Sequence, residues 1–103
     1  MKQIIDSKVY NTETSELLHC WTNGHASSDF QWRSKALYRT GKGALFILHE
    51  GGPMTDMARS HGNSVGYGEL IEVVSVEDAV AFLASHGGED VILEHFPETV
   101  EEA

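Results

Sequence analysis

The apolar run Ala44-Leu45-Phe46-Ile47-Leu48 constrains this chain more than any other stretch. Gly41-Lys42-Gly43 precedes it and Gly51-Gly52-Pro53 follows, so turn formers close off both ends and leave too little length for a helix. In an extended segment successive side chains point to opposite faces. A strand that is apolar at every position is therefore buried on both faces and belongs in the middle of a sheet.

The rest of the first two thirds also reads as β structure. Residues 2–6 and 8–10 carry Ile and Val in short extended segments, and Asn11-Thr12-Glu13-Thr14 supplies turn formers whose side chains bond local backbone. Residues 16–22 have the length and apolar content of a returning strand, closed by Asn23-Gly24. Phe30, Trp32 and Tyr38 mark one or two further strands over 28–40. Residues 54–60 suit a short helical turn or a segment lying across the sheet, in a stretch rich in Gly, Ser and Asn that reaches Gly68. Residues 70–74 form a last, β-branched strand.

The period changes at Ser75-Val76-Glu77-Asp78, which has the form of a capping box. Val76, Ala79, Val80 and Leu83 then share a helix face, edged by Phe82, and Gly87-Gly88 ends it. Residues 89–96 make a second, shorter helix stopped by Pro97. The expected fold is one α+β domain over residues 1–103: an antiparallel sheet of about four to five strands with a C-terminal helix pair. It divides into a β-rich part (1–75), a helical part (76–96) and an acidic tail (97–103).

Charge is segregated along this chain. All seven Lys and Arg residues lie at or before Arg59, where they meet six acids for a sum of +1; residues 60–103 hold ten carboxylates and no Lys or Arg, for −10. Clustered charge makes a directed field that steers and selects partners, and its natural counterpart is a basic surface. The same acids also serve solubility. A net charge of −9 argues against direct binding to nucleic acid or anionic lipid. No apolar run approaches a membrane span, and the N-terminus lacks the long apolar stretch of a signal peptide. Cys20 is alone, so no intrachain disulfide forms and a reducing cytoplasm fits best.

No reaction follows from the motifs. The six histidines (19, 25, 49, 61, 86, 95) contain no close ligand pair, and neither a metal nor another cofactor is expected. His86 suits a helix end, where a cation meets the negative dipole. Cys20 falls inside a strand and reads as a buried, inert thiol rather than half of a Cys/His pair. The glycines at 51–52 and 62–68 match no phosphate-binding loop and read as turn formers. Trp32-Arg33-Ser34-Lys35 and Tyr38-Arg39 interleave aromatics with bases, a pattern that alternating sheet faces explain, aromatic inward and basic outward.

Lys8-Val9-Tyr10-Asn11-Thr12-Glu13-Thr14, followed by Glu16-Leu17-Leu18, resembles a K-x-Y-[DN]-T-x-T pattern in small proteins of bacterial phages, plasmids and conjugative elements. Further similarities are Ser28-Asp29-Phe30, Leu37-Tyr38-Arg39-Thr40 with Gly43, Glu50-Gly51-Gly52-Pro53-Met54, and the strand and helix start over 71–78. These motifs are structural, and no active-site residue carries over. The resemblance implies an accessory gene of a mobile element acting in the host cytoplasm. Small acidic proteins of that kind resemble inhibitors of host nucleic-acid defence, of the anti-CRISPR or anti-restriction type.

The expected function is therefore non-enzymatic: docking of acidic helices onto a basic, nucleic-acid-binding protein or complex of the host. Glu77, Asp78, Glu89, Asp90 and Glu94 are the expected partner-binding residues, because helices hold them at fixed positions. Glu98, Glu101 and Glu102 add only screened, long-range attraction. The alternatives are a small enzyme or metal-dependent protein using Cys20 or histidines, and a plain soluble accessory protein with no nucleic-acid-related partner. The surface around Trp32, Arg33, Lys35 and Arg39 is a candidate second interface, for a chain expected to be a monomer or a weak homo-oligomer.

Overall fold

The computed structural model describes residues 1–61 and 64–101. Its elements, in order, are the strands β1 (Lys2–Ile5), β2 (Lys8–Asn11), β3 (Glu16–Thr22), β4 (Arg33–Arg39), β5 (Leu45–Gly51), β6 (Arg59–His61), β7 (Ser64–Gly66) and β8 (Gly68–Val74), then the helices α1 (Val76–Ser85) and α2 (Glu89–His95). The strands β3-β4-β5-β8 form one antiparallel sheet, while β1-β2 and β6-β7 are separate hairpins. The fold is α+β, as expected from the sequence. Gly62 and Glu102, which belong to the glycine-rich stretch and the acidic tail, lie outside the described residues.

Strand β5 is central and covered on both faces, as its unbroken apolar run demands. Leu45 and Ile47 join Leu37 of β4 and pack against Ala79, Phe82 and Leu83 of α1, with Ile92 and Phe96 from α2 and its end. Phe46 and Leu48 face the other way and pack with Ile71 of β8 against Tyr10 of the β1-β2 hairpin. Tyr10 meets the Phe46 ring edge-on and Tyr38 stacks on it, with centroids 5.6 and 5.2 Å apart. Leu37, Phe46 and Leu83 are fully buried, each contributing about 1.5–3 kcal/mol through transfer from water. The sheet thus carries helices on one face and a hairpin on the other.

Local chemistry sets the element ends. At α1, Ser75 Oγ accepts from the Asp78 amide at 3.1 Å, but Asp78 does not return a bond to the Ser75 amide, which a longer Glu is better placed to do. Gly87, with φ of 76°, lets the Gly88 amide turn back to the Leu83 carbonyl at 2.7 Å, the Schellman closure. The buried stripe centres on Ala79, Phe82 and Leu83, while Val76 is 41% exposed. The expected inward face is thus rotated towards Phe82.

Two further expectations are corrected. Residues 53–57 form turns, not a helix, and the chain then enters β6. Gly52 and Gly68 serve close approach rather than turning: a Cβ at Gly52 would strike the Phe30 carbonyl, and one at Gly68 the Met57 carbonyl. The loop after β5 lies against the β3-β4 connection at the first point and against β8 at the second.

Candidate functional surfaces

The five acids singled out from the sequence are all exposed. Glu77 and Asp78 occupy the first turn of α1, and Glu89 and Asp90 the first turn of α2, where carboxylates also favour the positive end of the helix dipole. Burial of Ala79, Phe82, Leu83 and Ile92 against the sheet forces these acids outward. The two pairs thus stand at the starts of two successive helices, separated by the body of α1 and the Gly87-Gly88 turn. Among the described residues none of the four meets a cation within ion-pair distance, and Glu94 has only His95, with Oε2 to Nε2 at 3.9 Å. On this side Arg39 is held by Glu16 at 2.7 Å and touches His95 Nδ1 at 3.3 Å. The result is a helical layer of uncompensated carboxylates, in two groups rather than one cluster.

A second constellation was not visible in the sequence. Trp21, Lys35, His49 and Leu70 are successive cross-strand partners on β3, β4, β5 and β8, forming a row across the helix-side face. Lys35 Nζ lies 5.6 Å from the Trp21 ring centroid and 3.5 Å from His86 Nε2. His86 closes α1, as expected, and its Nδ1 contacts the Phe82 carbonyl at 2.8 Å, while its own carbonyl accepts from His19 Nε2 at 2.8 Å. Beside the row, Arg33 is only 9% exposed. Its Nε donates to Asp56 Oδ1 at 2.8 Å, one Nη to the Ser34 and Glu50 carbonyls at 2.8 and 3.3 Å, and the other to His49 Nδ1 at 2.9 Å. His49 Nε2 then donates to Glu72 Oε1 at 2.8 Å. The Arg33 hydrogen bond, which outweighs its Coulombic attraction, holds the Asp56 carboxyl below the usual carboxylate range.

The expected pattern, aromatic inward and basic outward, holds for Tyr38 but is corrected at Arg33, which is buried and paired. Lys35 and Arg39 are partly exposed, Lys35 beside Trp21 and Arg39 paired with Glu16, so among the described residues the bases of 32–39 do not form one free patch. Phe30, in contrast, is 60% exposed.

Cys20 is also corrected: it is exposed. β3 is an edge strand, and the hairpin packs over Tyr38, Phe46, Leu48 and Ile71 without reaching it. Cys20 and His19 are neighbours in one strand, so their side chains take opposite faces. On the Cys20 side, Glu50 lies opposite Glu69. Burial first, and Glu69 second, push the Glu50 carboxyl up, against a lowering pull from the N-terminal ammonium. Burial likewise raises the Tyr38 phenol, helped by Cys20 and Glu50. Among the described residues no three His, Cys, Asp or Glu side chains are placed to hold a metal, and no helix is long and apolar enough to cross a membrane.

Comparison with protein-family models, with curated proteins and with solved structures returns no match to this chain.

Proposed function

We propose that this is a non-enzymatic protein of a phage or mobile element that binds and inhibits a nucleic-acid defence complex of its bacterial host, of the anti-CRISPR or anti-restriction type. One observation supports the reading most: Glu77, Asp78, Glu89, Asp90 and Glu94 are all exposed, and no Lys or Arg neutralises them among the described residues. Helices α1 and α2 hold these carboxylates at fixed, exposed positions, as a basic protein channel that grips phosphates would require of a competitor. Attraction between opposite fields speeds encounter, and the carboxylates compete for the Lys and Arg side chains that hold phosphates.

The test replaces the five acids by Gln or Asn and follows both restriction or CRISPR immunity and association with the targeted complex. The expected outcome is loss of protection, slower association with weaker salt dependence, and competition between nucleic acid and the parent chain. Full protection by the substituted chain would reject the role of these helices. Exposure of Cys20 gives the enzymatic alternative one observation in its favour, and a thiol-reactivity assay at neutral pH separates the two readings. A rate far above that of a free thiol favours an enzyme; ordinary reactivity favours the binding protein.

A further inference from the structure

On the face of the sheet away from the helices, a cleft of about 690 Å³ opens between the β1-β2 hairpin and the turn joining β4 to β5. Its volume falls in the range of small-molecule sites, roughly 300–1,000 Å³. The charged groups lining it are Lys8 and Lys42, and no carboxylate joins them. Both lysines are exposed, and neither has an acid within ion-pair distance among the described residues. In a chain of net charge −9 this is a local inversion of sign. The helix carboxylates act from beyond the thickness of the sheet layer, and their field is screened over a Debye length of about 8 Å.

The uncharged lining supplies donors. Tyr10 is 6% exposed, its ring fixed against Phe46, yet its hydroxyl has no hydrogen-bond partner among the described residues and is not sealed from solvent. Thr40 Oγ1 accepts from the Ala44 amide at 3.0 Å, which leaves its own proton free to donate. Ser7 sits at the rim in the left-handed region, with φ of 64° beside 51° at Asp6. A type I′ hairpin turn needs positive φ at both central positions and ordinarily takes Asn-Gly there. Asp-Ser thus accepts a backbone cost and places a hydroxyl, which glycine lacks, at the cleft. Ala44 adds an apolar side.

We propose that this cleft binds a small organic phosphate of about nucleoside-diphosphate size. Lys8 and Lys42 hold the phosphates, Tyr10 and Thr40 donate to their oxygens, and the apolar side at Ala44 receives the organic part. Two lysines and hydroxyl protons free to donate, with no carboxylate in the lining, suit a multiply charged oxyanion better than a cation or a neutral ligand.

Calorimetry on the full chain with ADP, with adenosine and with a short single-stranded oligonucleotide tests the assignment. ADP should saturate one site and adenosine should not bind. The Lys8→Glu/Lys42→Glu variant should weaken ADP by at least about tenfold, Tyr10→Phe should weaken it by less while the fold stays intact, and Lys2→Glu should leave it unchanged. No saturable ADP binding at millimolar concentration, equal binding in the Lys8/Lys42 variant, or binding of the oligonucleotide alone would each overturn the proposal. None of these outcomes bears on the acidic helices, so the two readings stand or fall separately.

Discussion

Single residues carry opposite electrostatic burdens on the two sides of the sheet. Glu50 has a raised pKa in the folded state because it is partly buried and faces Glu69. Its ionisation therefore opposes folding: the stability it permits is complete below the unfolded pKa and is lost as pH rises through the folded one. Glu50→Gln is expected to be more stable than the parent at neutral pH, with the advantage vanishing as pH falls below the ordinary carboxylate range. Urea denaturation at several pH values checks this. Asp56 has the reverse sign, since its lowered pKa stabilises above the unfolded value and the effect fades as pH falls towards the folded one. Asp56 is mostly exposed, so solvent limits the effect of Asp56→Asn to about 1 kcal/mol at neutral pH. Arg33→Met leaves the Ser34 and Glu50 carbonyls and His49 Nδ1 without their donor. It should cost about 2–4 kcal/mol in the same experiment. Neither Arg33 nor Asp56 could be read from the sequence, because their pairing depends on a loop folding back onto a strand 23 positions away.

At the scale of elements, legibility followed local periodicity. Residues 44–48 announce a central strand because five apolar side chains cannot alternate with water, and Ser75 with Gly87 brackets α1 through capping chemistry that acts within a few residues. The helix acids were legible for the same reason: the buried stripe dictates what points outward. Side-chain direction in the edge strand was not. Cys20 looked buried because its neighbours are apolar, yet the cover over that face stops short of it. The glycines misled in the same way, since close approach between distant segments leaves no local mark. Gly68→Ala should cost about 1–3 kcal/mol, because its Cβ meets the Met57 carbonyl. Gly41→Ala, with open space around it and no positive φ, should gain about 0.4–1 kcal/mol by restricting the unfolded chain. Paired denaturation curves would separate the two kinds of glycine.

The whole molecule is a plate of 52 × 33 × 19 Å with an acidic helical layer on one broad side and Lys2, Lys8 and Lys42 exposed towards the hairpin side. Like-charge repulsion within the helical layer weakens the compact state, so thermal stability should rise by a few degrees when salt is added at neutral pH. Neutralising the five helix acids should flatten that dependence. A salt titration monitored by circular dichroism measures both effects.

The two covers of the sheet come from opposite ends of the order in which the residues are joined. During synthesis the hairpin and the strands are made first, and the side of the sheet formed by Leu37, Leu45 and Ile47 stays bare until residues 76–96 exist. A nascent chain ending at residue 75 holds seven bases and eight acids, so it is almost neutral while its apolar face is open. That combination invites association with other unfinished chains. The last quarter of the sequence closes the face and delivers most of the negative charge in the same stretch, so greasiness and neutrality, the two hazards of the ribosome-bound stage, end together.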